Sequence, residues 1–176
     1  IAESEKQIAD LQARQETYNI AIAEGEKQLA AKEYENALAA YKKANATIPA
    51  EKIPVQKIAE IQLVLDKMKA ENEKYAQAIA NGDKFYSTEK YREALEPYQT
   101  ASTIKPNEKY PQEQITRINQ KLAELKKLDD DYQGLIAEAS QMMTTGKYED
   151  AKGTFIKAQA LKPAENLPKD KLSEIE

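Results

Sequence analysis

Cysteine, histidine and tryptophan are all missing from these 176 residues. Their absence removes thiol nucleophiles, imidazole bases, disulfides and Cys/His zinc sites together, and most catalytic constellations go with them. Carboxylates, lysines and tyrosines remain, and none of them recurs as a convergent polar pair. The chain therefore reads as non-enzymatic, with no catalytic, cofactor-binding or metal-binding residue. A cysteine-free composition fits an oxidising compartment, periplasmic or extracellular, although cytosolic repeat proteins lack cysteine too. No apolar run approaches the roughly 20 residues that cross a bilayer, so this segment is not expected to insert into a membrane, and no signal peptide is visible. A net charge of −4 spread over groups of both signs leaves no basic stripe, which argues against nucleic acid as a partner. Asp129, Asp130 and Asp131 form an acidic run, but successive side chains on a helix point apart and cannot converge on one calcium ion.

Glycine (five) and proline (seven) are also scarce, and they fall at corresponding places in a pattern that repeats every 57 residues. Tyr18, Tyr75 and Tyr132 stand at that interval. So do Tyr34, Tyr91 and Tyr148; Ala37, Ala94 and Ala151; Tyr41, Tyr98 and Phe155; Ala44, Ala101 and Ala158. Two proline columns follow, Pro49, Pro106, Pro163 and Pro54, Pro111, Pro168. Agreement without an insertion requires each unit to meet its neighbours in one geometry, as in a solenoid. The expected organisation is a partial linker helix of a preceding unit at 1–17, repeat 1 at 18–74, repeat 2 at 75–131 and a truncated repeat 3 at 132–176. Ile1-Ala2-Glu3 matches Ile58-Ala59-Glu60, so the chain reads as a segment of a longer array.

Alanine, glutamate, lysine, leucine and isoleucine fill the intervals at helical spacing, which predicts an all-α chain. Within each repeat a first helix ends near Lys32-Glu33, Ser87-Thr88 or Thr145-Gly146. A second runs over about 34–47, 91–104 and 148–161, where the next proline stops it by disfavouring helical geometry in the residue before. Pro54, Pro111 and Pro168 then sit where a new helix begins, since a missing amide hydrogen costs nothing there. From Pro54 a seven-residue column runs Ile58, Ile61, Leu65, Met68, Asn72, Tyr75, Ile79, Gly82. Repeat 2 continues it as Ile115, Ile118, Leu122, Leu125, Asp129, Tyr132, Ile136, Ala139, and a weaker version starts at Ile1, Ser4 and Ile8. The unbroken phase predicts one long helix of about 30 residues, some 45–50 Å, and one short helix of about 14 residues per repeat. The alternative is a break near Asn72 and Asp129, where polar residues interrupt the stripe.

Counted from Tyr18, Tyr75 and Tyr132, each repeat opens with a stretch that resembles a tetratricopeptide repeat. The small residue late in the first helix is Gly25 and Gly82; the second-helix pattern is Ala37, Tyr41, Ala44 and Pro49 with their counterparts. The turn reads Lys32-Glu33-Tyr34-Glu35-Asn36-Ala37, Glu89-Lys90-Tyr91-Arg92-Glu93-Ala94 and Gly146-Lys147-Tyr148-Glu149-Asp150-Ala151. The chain departs from that family at Ala21, Ala78 and Leu135, where tryptophan is usual, and at Ala139 and Met142. It also carries 23 extra residues per repeat, and such long units are similar to repeat arrays in envelope or secreted proteins of Bacteroidota. The resemblance implies a TPR-like solenoid that serves as a protein–protein interaction scaffold, with a protein or peptide partner on the face formed by successive first helices: Glu26, Leu29, Asp83, Tyr86, Ser140 and Met143. The lysine with which some family members clamp a terminal carboxylate is replaced by Ile22, Ile79 and Ile136. A structural spacer between domains is the alternative reading. Tyrosines in repeat columns are expected in the core with hydroxyls at its rim, and Pro97, inside a second helix, is expected to bend or loosen it.

Overall fold

A computed structural model describes residues 2–175. Ile1, the first member of the weak column, lies outside them. The described residues form seven α-helices and no strand: α1 (Ala2–Ala30), α2 (Tyr34–Thr47), α3 (Lys52–Ser87), α4 (Tyr91–Ile104), α5 (Lys109–Thr144), α6 (Tyr148–Leu161) and α7 (Leu167–Ile175). The fold is all-α. It comprises two compact units, Ile1–Ala76 and Gln77–Glu176.

The short helices begin and end where the tyrosine and proline columns place them. In α2 the alanine-rich sequence favours helix, and Ala37, Ala40, Tyr41 and Ala44 supply a buried stripe at helical spacing. Its last turn closes on the Ile48 amide, which donates to the Ala44 carbonyl, and Pro49 follows. Pro97 leaves α4 unbroken from Tyr91 to Ile104. The long helices α3 and α5 each span 36 residues, about 54 Å at 1.5 Å per residue, and run without a break through Asn72 and Asp129. They exceed the expected length partly because they start at Lys52 and Lys109, two residues before Pro54 and Pro111. A third-position proline still falls among the first amides, which have no partner in the helix.

In the first compact unit, Ala37, Tyr41 and Ile61 form one cluster and Tyr18, Ala21 and Ala44 another. In the second, Ala94, Tyr98 and Ile118 form one, and Ala139, Ala151 and Phe155 another. Each hairpin thus closes around one aromatic ring of the second helix, whose burial is worth about 1.5–3 kcal/mol in transfer terms. Small residues opposite the ring let the helices approach.

The turn that ends each first helix uses a left-handed residue: Lys32 (φ 60°), Glu89 (φ 58°) and Gly146 (φ 75°). In each, the next amide reaches back to the helix, Glu33 to the Gln28 carbonyl, Lys90 to Phe85 and Lys147 to Met142, all at 2.9 Å. This is the hydrogen-bond pattern of a glycine-type helix stop. A side chain in that conformation costs about 1–2 kcal/mol, partly offset by the lower chain entropy it loses on folding. Lys32→Gly and Glu89→Gly are therefore expected to stabilise their hairpins by about 0.5–1 kcal/mol each. The urea midpoint is the measure; a lower midpoint in both would contradict this account of the turns.

Candidate interaction surface

The six residues expected on the first-helix face divide by position in the turn. Glu26, Asp83 and Ser140 are exposed, whereas Leu29, Tyr86 and Met143 are half-buried. Leu29 packs on the Ala37–Tyr41–Ile61 cluster, Tyr86 on Ala94–Tyr98–Ile118 and Met143 on Ala139–Ala151–Phe155. Tyr86 also meets the Tyr91 ring edge-on, with centroids 5.5 Å apart. Packing thus occupies much of the surface of one residue in each expected pair. Ile22, Ile79 and Ile136, at the clamp position, are half-buried against the same hairpin clusters.

The three exposed members do different work. Asp83 accepts hydrogen bonds at one carboxylate oxygen from the hydroxyls of Tyr98 (2.6 Å) and Tyr110 (2.7 Å). Those two rings meet edge-on at 6.2 Å. Three helices are joined at this point: α3 through Asp83, α4 through Tyr98 and α5 through Tyr110. Burial first, and then the bond to Asp83, push the Tyr98 hydroxyl well above the usual tyrosine range; for Tyr110 the bond to Asp83 comes first. Glu26 has no such partner, but its charge helps to raise the Tyr41 hydroxyl, behind burial as the larger cause. Ser140 turns inward along its own helix and donates to the Ile136 carbonyl at 2.7 Å. Of the six, Asp83 and Tyr86 are tied into one hairpin, and Glu26 is the charged side chain left facing water.

Asp83 was legible as a candidate, but its bonds were not. Tyr110 lies 27 residues further on and replaces Ile53 and Leu167 of the other copies, so no repeat column signals it. In repeat 3 the ring is Phe155, which has no hydroxyl to donate. A different polar link occurs there: Lys162 bonds Asp129 and lies 5.0 Å above the Tyr132 ring. The bond to Asp129 is the largest cause of the raised Lys162 ammonium. Asp130 pairs instead with Lys126 at 2.7 Å, so neighbouring carboxylates of the acidic run serve different lysines.

No helix among the described residues is long and apolar enough to cross a membrane. No protein-family model matches the chain, and no curated protein matches it.

Proposed function

We propose that the chain is part of a TPR-like helical repeat array that acts as a non-catalytic interaction scaffold, with protein or peptide partners. The observation that supports it is a split in each first helix: its packed side recurs through the repeats, while its exposed side reads Glu26, Asp83 and Ser140 at one register. A stable frame with a variable surface is how repeat proteins generate binding faces. Immobilised chain exposed to an extract of its own compartment tests the idea. Capture of a defined partner, weakened by Glu26→Lys or Ser140→Lys, is the expected result. These positions are chosen because Leu29, Tyr86, Met143 and Asp83 also serve packing, where a loss of capture would be ambiguous. Capture that both substitutions leave unchanged would sink this face as the binding site.

A spacer is the second reading, and the two 36-residue helices favour it. In a spacer, deletion of one 57-residue repeat should impair the parent protein while exchange of exposed residues does not.

A further inference from the structure

In the first compact unit the column Ile58, Ile61, Leu65, Met68 on α3 outruns the short helix it packs against. Leu65 still touches the Ala37–Tyr41–Ile61 cluster, close to where α2 begins at Tyr34. One turn later Met68 has no such cover and is 44% exposed. Two open grooves, of about 630 and 250 Å³, share Glu35, Leu65 and Met68 in their walls and so form one trough with an apolar floor.

Its rim is acidic. Glu33 and Glu35 border it from the start of α2, Asp66 and Glu73 from α3. Lys32 and Lys69 only partly offset them, and the Lys69–Glu73 pair is long (4.0 Å) and solvent-exposed, hence weak. Carboxylates at the start of α2 are favoured by the helix dipole alone. That argument does not cover Asp66 or Glu73 in the middle of α3, and repeat 2 does without the first of them. There the floor recurs as Leu122 and Leu125, whereas Glu33, Glu35 and Asp66 become Lys90, Arg92 and Ala123, Lys32 and Asn36 become Glu89 and Glu93, and Glu73 stays acidic as Asp130. The apolar step is common to both repeats; the carboxylates at the positions of Glu33, Glu35 and Asp66 are not.

We propose that this trough docks a basic peptide segment, with an apolar side chain seated on Leu65 and Met68 and flanking lysine or arginine side chains reaching Glu35, Asp66 and Glu73. The inference rests on the scaffold reading and names one of its sites and the chemistry of its partner. Complementary charge orients such a segment, and the apolar step gives it an anchor that a purely ionic contact lacks.

The test uses synthetic peptides carrying lysine and arginine around one leucine, with two controls, one with glutamate for the basic residues and one without leucine. Binding is followed by methyl NMR of the intact chain. Shifts centred on Met68 and Leu65, and affinity reduced about tenfold by Glu35→Arg with Asp66→Ala, are expected. That double variant writes the residues of repeat 2 into repeat 1, so the fold has already accommodated them. Loss of the leucine, or Met68→Ser, should weaken binding comparably. Equal binding of the glutamate peptide, unchanged affinity in the variants, or shifts elsewhere would overturn the proposal. Sedimentation showing the trough covered by a second copy would do so too. If the chain still captures a partner that the trough variants leave unaffected, this site fails and the scaffold reading stands; if neither partner nor peptide binds, both fail.

Discussion

Tyr98→Ala is expected to remove about 3–5 kcal/mol from the second compact unit, the range for deleting a buried aromatic ring. The ring is 1% exposed and packs with Ala94 and Ile118, so its loss leaves a cavity that three helices would have to collapse to fill. A domain of ordinary stability has about 5–15 kcal/mol in all. The variant should therefore melt far lower, by roughly 4–8 °C for each kcal/mol lost. Tyr98→Phe separates ring from hydroxyl. It keeps the packing and loses one hydrogen bond to an exposed carboxylate that still holds Tyr110, which should cost only about 1 kcal/mol. Tyr148→Ala is the surface control, because that ring is 54% exposed and its removal should change stability by about 0.5 kcal/mol or less.

The hydroxyl has its own signature at high pH. Tyr98 keeps its proton in the folded chain well above the ordinary value of 10.0, while the unfolded chain releases it near that value. The folded state then binds more protons, so this contribution to stability is whole below about pH 10 and is lost as the pH rises toward the folded value. Tyr98→Phe should flatten the alkaline unfolding curve followed by circular dichroism. An alanine variant within about 1 kcal/mol of the parent would show that the hairpin ring is not where the stability resides.

The short helices were legible almost to the residue, because a turn, a tyrosine and a proline bracket each one. Continuity of the long helices was harder to read, since Asn72 and Asp129 interrupt an apolar column. Within the second compact unit the reason is local. Ile118 of α5 packs with α4, and Ala139 of the same helix packs with α6. Asp129 stands between these contacts, exposed, where a carboxylate displaces no core. The exposure of the six residues on the proposed face was legible only in part. Sequence spacing puts Glu26 and Leu29 on one side of a helix, but it does not say how far the hairpin partner reaches around that side. The trough was not legible at all, because it depends on where α2 begins relative to Met68, a distance between helices rather than along one.

Gly82→Ala is expected to cost about 1–3 kcal/mol, although alanine is the better helix former by about 1 kcal/mol. A methyl group there would lie 2.7 Å from the Tyr98 ring, and at Gly25 it would lie 2.8 Å from Tyr41. Neither ring is a loose end: both are 1% exposed, and Tyr98 is also held by Asp83 through its hydroxyl. Overpacking of this kind must shift ring or helix. In repeat 3 the small residue is Ala139 and the ring is Phe155, and both are fully buried. Without its hydroxyl the Tyr98 ring would lose its bond to Asp83 and be freer to shift away from an added methyl. Gly82→Ala combined with Tyr98→Phe should therefore cost less than the sum of the two changes, by about 0.5 kcal/mol or more, as contacting residues do. Gly153→Ala supplies the opposite sign. A methyl there meets nothing within 4 Å inside α6, so only the gain in helix propensity remains, about 0.5–1 kcal/mol. Strict additivity in the double variant would mean that the tether to Asp83 does not fix the ring. A stabilised Gly82→Ala would mean that the two helices of the hairpin separate freely, and the close approach would then not be what holds this unit together.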